Sequence, residues 1–102
     1  MGVNLRVEYR DDQLRRLVED SEYRPKRWEV EVIRAYRKKI QLIGAAMDDR
    51  DLRAIRSLHL EQLSGDREGT SSIRLNDQFR LVLTFKTEGE RVAVILEIVD
   101  YH

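Results

Sequence analysis

LHLEQLSGDREGTSSIRLNDQFRLVLTFKTEGERVAVILEIVDYH, residues 58–102, is the stretch whose patterning organises the chain. Ile73 and Leu75 alternate with Ser72, Arg74 and Asn76. Beyond Asp77-Gln78, Phe79, Leu81, Leu83 and Phe85 alternate with Arg80, Val82 and Thr84. Period two on both sides of a short polar turn predicts a β-hairpin. A loop of Asn76, Asp77 and Gln78 pairs Leu75 with Phe79 and Arg74 with Arg80, with the apolar set on one face. A slip of one residue would send charge into the core. This register opposes two guanidiniums, which is destabilising unless an anion lies beside them. The anion is either a carboxylate of the chain (Asp100, Glu97 or the terminal carboxylate) or a phosphate that comes and goes.

Working outward, Leu58–Leu63 reads as a strand leading into the glycine-rich turn Gly65-Asp66-Arg67-Glu68-Gly69. A second turn, Glu88-Gly89-Glu90, precedes Val92–Val99, whose near-continuous apolarity predicts a central strand covered on both faces. Upstream, Val3, Leu5, Val7 and Tyr9 alternate with polar residues, the pattern of a half-buried strand. Asp11-Asp12 offers an N-cap to a short helix with Leu14, Leu17 and Val18 on its apolar side. Pro25 suits the first turn of a longer helix, about Lys26 to Met47. In it Trp28, Val32, Tyr36, Ile40, Ile43 and Met47 form an apolar stripe. Arg24, Arg27, Arg34, Arg37, Lys38 and Lys39 give its other side a basic face, either solvated or phosphate-binding. Asp48-Asp49 caps a third helix in which Leu52 and Ile55 face inward. Helices first, then an antiparallel meander, make an α+β domain spanning 1–102.

The chain has 102 residues, enough for a modest core. There is no cysteine, hence no disulfide framework and no Cys-based nucleophile or metal site. His59 and His102 are too few for a His-rich metal site, although mixed carboxylate ligation stays open. No apolar run reaches membrane-spanning length and no signal-peptide core is visible, so the expectation is a cytoplasmic protein without membrane contact. Lys plus Arg and Asp plus Glu balance at 19 each, which argues against free-standing nucleic-acid binding but leaves room for a local basic face.

No P-loop, dinucleotide fingerprint, nucleophile elbow or zinc motif is present. The residues left to carry chemistry are Arg74, Arg80, His59, Asp100, Tyr101 and His102. A histidine oriented by a carboxylate can act as general acid or base. Arginines on a neighbouring strand can stabilise charge on a phosphoryl group. Together these are the parts for RNA cleavage without metal. The structural alternatives are an ordinary exposed terminal His102, a partly buried His59 within a strand, and a Tyr101 that covers the sheet edge rather than stacking on a base.

Leu58-His59, Leu63-x-Gly65-Asp66-Arg67, Gly69, the run Ser72–Arg80 and the closing Asp100-Tyr101-His102 resemble the HigB-like toxins of the RelE/ParE superfamily. These are toxins of bacterial type II toxin–antitoxin systems. The Tyr23–Arg27 segment and the β-α-α start are consistent with them. The resemblance implies a RelE-like, microbial-RNase-type fold: an N-terminal strand and helices on one face of a curved, mostly antiparallel sheet of four to five strands, with an RNA site on the other. It implies a ribosome-dependent mRNA endonuclease acting in the A site, with no metal or other cofactor. It also implies a cognate helix-turn-helix (HigA-like) antitoxin, through which alone the toxin meets operator DNA. By position, Arg80 matches the phosphate-stabilising arginine, Asp100, Tyr101 and His102 the C-terminal catalytic group, and His59 the strand histidine. Arg74, Ser64, Arg67, Arg34 and Lys38 complete the set expected to contact RNA. Ser64 stands where the family commonly has lysine, and the neutral charge departs from its usual basicity. Two alternatives follow from those departures: a non-cutting, ParE-like inhibitor of a protein target, and an attenuated toxin acting mainly as an antitoxin-bound repressor partner.

Overall fold

The computed structural model describes residues 4–101; Val3 and His102 lie outside the described residues. The elements are β1 (Arg6–Tyr9), α1 (Asp12–Glu19), α2 (Val30–Ala45), α3 (Asp49–Arg53), β2 (Glu61–Gln62), β3 (Ser71–Arg74), β4 (Phe79–Glu88) and β5 (Glu90–Asp100). They form an α+β fold with one five-stranded sheet in the order β1-β5-β4-β3-β2. All pairings are antiparallel except β1 with β5, which is parallel from Arg6–Val92 to Tyr9–Ile95.

The hairpin register is the one alternation predicts, with Ile73 opposite Leu81 and Arg74 opposite Arg80. Leu75 N donates to the Phe79 carbonyl at 3.0 Å and closes the loop. Ile73, Leu81, Leu83, Ala93, Ile95 and Ile98 face a core shared with Leu14, Leu17, Val32, Ile33, Tyr36, Ile40 and Ile43 of α1 and α2. A bulge between Val82 and Leu83 leaves Leu96 without a partner opposite it.

Capping decides the helix ends. The Asp11 side chain accepts from Leu14 N and starts α1, and Asp48 does the same for Arg50 N and Asp51 N of α3. α2 is shorter than the apolar stripe predicts. Residues 25–28 make a separate turn, and the helix opens only at Glu29, whose carbonyl accepts from Val32 N and Ile33 N. Trp28 is still buried, its ring under the Arg27 guanidinium. At the other end, Ala46 turns extended and its carbonyl takes the Leu5 N–H at 2.8 Å. The Asp48 cap then redirects the chain, and Met47 is exposed instead of buried. Within the basic face, Arg37 is structural. Its guanidinium gathers the carbonyls of Leu17, Asp20, Ser21 and Tyr23 around the end of α1.

Two further expectations are corrected. Leu58–Leu63 is not a strand, because a 3-10 turn at Arg56–Leu58 drives Leu58 into the core and His59 reverses direction with φ 47°. Only Glu61 and Gln62 pair, with Ser72 and Ser71. β5 is central, yet Val94, Leu96 and Val99 are only partly buried, because the helices cover one face of the sheet and leave the other open.

Candidate functional site

Alternation along β3 and β4 puts Arg74 and Arg80 on the open face, away from the helices. Arg80 is nevertheless 9% exposed. Its Nε donates to Ser72 Oγ at 2.8 Å, and its Nη2 donates to the His59 carbonyl at 2.6 Å and the Ser72 carbonyl at 3.4 Å. Ser72 precedes Arg74 by two positions and so shares its face. These acceptors are uncharged, so the guanidinium is fixed in direction without being neutralised by them. The anchoring uses Nε and Nη2 and does not need Nη1. The Tyr101 ring lies over the same guanidinium, 5.5 Å from its carbon, and Tyr101 is itself exposed. Tyr101 N donates to the Gln78 carbonyl at 2.7 Å, which carries the β4–β5 ladder past Asp100.

Arg74 pairs with Asp77 across the hairpin loop. Asn76 Oδ1 accepts from Gln78 N and Phe79 N, an Asx turn that shapes the loop and presents Asp77. Among the described residues the carboxylate paired with Arg74 is therefore Asp77; of the three anions expected, the terminal carboxylate lies outside the described residues. Of the other two, Glu97 lies between Arg67 and Arg10, and Asp100 accepts from Gln78 Nε2 at 2.9 Å. Arg74, Asn76, Asp77, Arg80 and Tyr101 line one open pocket of about 270 Å³.

Other expected site residues are placed as follows. His59 is exposed in the left-handed region and reaches Arg80 through its carbonyl, a role that side-chain reasoning could not find. Asp100 pairs with Phe79 and by alternation sits on the Phe79 side of β5, outside the pocket lining. His102 lies outside the described residues. Ser64 lines a separate hollow with Asp49, Arg53 and Arg91. Arg67 is on the open face, beside Val82 and Leu96. Arg34 and Lys38 are exposed on α2, so the sheet separates them from Arg80. The sequence reading passed over Ser72, Asn76 and Asp77 as site residues. Ser72 shares its period-two face with Arg74, and that signal was available.

Residues 7–102 match the family model for the RelE-like toxin of the type II toxin–antitoxin system HigB. The chain belongs to the HigB-like toxins. Among curated proteins it is 32% identical over 74 residues to Toxin HigB-1 of Vibrio cholerae serotype O1 (strain ATCC 39315 / El Tor Inaba N16961), covering 72% of this chain and 67% of that protein. Among solved structures it is similar to a YoeB/ParE toxin from Agrobacterium tumefaciens. There the TM-score is 0.59 at 13% identity, over 96% of this chain and 100% of that one, a likeness of fold alone. Membership of the HigB-like family implies an antitoxin partner. No described helix of this HigB-like toxin is long and apolar enough to cross a membrane.

Proposed function

We propose that this HigB-like toxin is a ribosome-dependent endoribonuclease that cuts mRNA in the A site by attack of a 2′-hydroxyl on the adjacent 3′-phosphate. The observation that supports this is Arg80: a cation held by Ser72 and the His59 carbonyl, beneath an exposed aromatic ring, in an open pocket. In this reading the scissile phosphate lies against Arg80, with Arg74 beside it once Asp77 yields. Because the guanidinium is already oriented, it stabilises charge on the phosphoryl oxygens without reorganising. A base stacks on Tyr101. The 2′-oxygen–phosphorus bond forms as the bond to the 5′-oxygen breaks. His102 takes the 2′-hydroxyl proton and, as the imidazolium, gives it to the leaving 5′-oxygen, while Asp100, on the Phe79 side of β5 and outside the pocket lining, has no direct part in the transfer. Side chains alone carry these steps. The ribosome delivers the mRNA, with Arg34 and Lys38 as contacts to its phosphates. A helix-turn-helix antitoxin restrains the toxin and carries it to operator DNA.

Primer extension on a defined mRNA tests this, with the protein added to programmed ribosomes and to naked RNA. Cleavage on ribosomes only, absent in His102→Ala, is the expected result. A folded protein that cuts in no lane would refute the reading. It would favour the non-cutting inhibitor, for which the zero net charge and the carboxylate-paired Arg67 and Arg74 speak.

A further inference from the structure

A second hollow opens on the same sheet face, about 410 Å³ in volume, lined by Arg10, Asp66, Arg67, Thr70, Val82, Leu96 and Glu97. Four separate elements build it, β4 contributing Val82. Arg10 follows β1, its N–H held by the Ile95 carbonyl at 2.8 Å. Arg67 sits in the Gly65–Arg67 turn, which Thr70 closes by donating its hydroxyl to the Arg67 carbonyl. Glu97 stands on β5, opposite Val82. The Glu97 carboxylate lies between the two guanidiniums, with Oε1 3.4 Å from Arg67 Nη2 and Oε2 3.9 Å from Arg10 Nη1. Val82 and Leu96 supply an apolar floor.

We infer that Arg10 and Arg67 form a subsite for a phosphate flanking the scissile one, and that Glu97 occupies the place of that phosphate when RNA is absent. The inference rests on the nuclease reading above and extends it. Two observations carry it. First, the spacing is suitable: Glu97 is two residues from Val99, the partner of Arg80, and Val82 is two residues from Arg80 itself. Two residues along paired strands is about 7 Å, of the order of one nucleotide step in an extended strand. Second, both ion pairs are long and all three side chains are substantially exposed. Such pairs are weak, and a phosphate bridging two guanidiniums displaces a single carboxylate readily. The apolar floor beneath accepts the face of a base. Glu97 thus lowers RNA affinity in a chain whose net charge is already zero.

The test uses the full-length protein and a 2′-deoxy dinucleotide, whose single phosphate takes the scissile place and which has no 2′-hydroxyl to attack. It is compared with the same oligomer bearing a phosphate at its 5′ or its 3′ end, with binding followed by fluorescence anisotropy against salt. One phosphorylated form binds more tightly than the parent, and that advantage disappears in Arg10→Ala/Arg67→Ala. The double variant also has a salt dependence shallower by about 0.7 in logarithmic slope, the value for one phosphate on a single strand. Glu97→Gln tightens the phosphorylated form by roughly two- to fivefold. Equal binding of parent and phosphorylated forms overturns the subsite and leaves the nuclease reading standing. A phosphate advantage that is lost in Arg10→Ala/Arg67→Ala, in a wild-type protein that cuts no mRNA on ribosomes, supports the subsite while the nuclease reading fails. No binding of any form overturns the subsite.

Discussion

Replacing Ser72 by alanine removes a side-chain acceptor that fixes Arg80 and leaves the backbone almost unaltered. Ser72 is fully buried, and its Oγ is 2.8 Å from Arg80 Nε. The Ser72 and His59 carbonyls remain on Nη2, so the arginine keeps its place but loses the bond that sets its plane. A hydrogen bond to a charged group contributes about 1.5–3 kcal/mol. Arg80 borders an open pocket, so water can reach part of the vacated donor, and the loss falls toward about 1–2 kcal/mol. If that energy is spent on orienting the guanidinium for the transition state, cleavage falls roughly 5- to 30-fold. The assay is single-turnover cleavage on programmed ribosomes, with urea unfolding to measure any general loss of stability. Ser71→Ala is the control, since Ser71 is also buried but faces the opposite side of β3. Proton exchange at Arg80 Nε, followed by NMR, reads the geometry independently of catalysis: it accelerates in Ser72→Ala and not in Ser71→Ala. Undiminished cleavage together with unchanged Nε exchange in Ser72→Ala would refute the argument that Ser72 orients Arg80.

Arg80→Ala removes the oriented cation and is expected to abolish growth inhibition on expression while circular dichroism stays unchanged. A well-expressed, fully toxic Arg80→Ala would eliminate the proposed mechanism. Tyr36 is fully buried and its hydroxyl donates to the Leu14 carbonyl at 2.8 Å; burial pushes its ionisation far above the ordinary tyrosine range. Tyr36→Phe should therefore cost about 1 kcal/mol in urea unfolding without changing cleavage. Burial pushes the Asp49 carboxyl up, but the Arg91 hydrogen bond, its own backbone N–H and the charges of Arg91 and Arg53 outweigh this and leave it below its ordinary value. A lowered carboxylate stabilises the fold above its unfolded-state value, and that stabilisation is lost as pH falls through the folded-state value. Asp49→Asn should thus lower stability by about 0.5–1 kcal/mol at neutral pH, with the difference vanishing in acid. Equal urea midpoints at both pH values would show that the Asp49–Arg91 pair contributes nothing.

The architecture was legible where it depends on short-range rules. Period-two alternation specified the Arg74–Arg80 register, since any slip inverts every side chain of the hairpin. Asp11 and Asp48 marked two helix starts because an N-cap needs only its own next few residues. Apolar continuity marked β5 as central, but could not tell that helices cover only one of its faces. The Leu58–Leu63 strand failed because Leu58-His59-Leu60 alternates in letters, while a left-handed residue between the leucines breaks the extended backbone. Lys26 and Met47 were read into α2 because an apolar stripe does not show where a turn or a competing cap interrupts it.

By itself, the sequence determined the family, the α+β order of elements, and the two arginines that face each other across a hairpin. Each follows from residues close together in the chain: a motif, a period or a cap. The tertiary structure decided what holds those arginines and what surrounds them. The His59 carbonyl reaches Arg80 across 21 residues, Glu97 reaches Arg67 across 30, and β1 finds β5 across most of the chain. Such partners depend on where the core draws Leu58 inward and on the side of the sheet that the helices leave open. Neither is encoded in any local spacing, because burial is settled by all the elements at once.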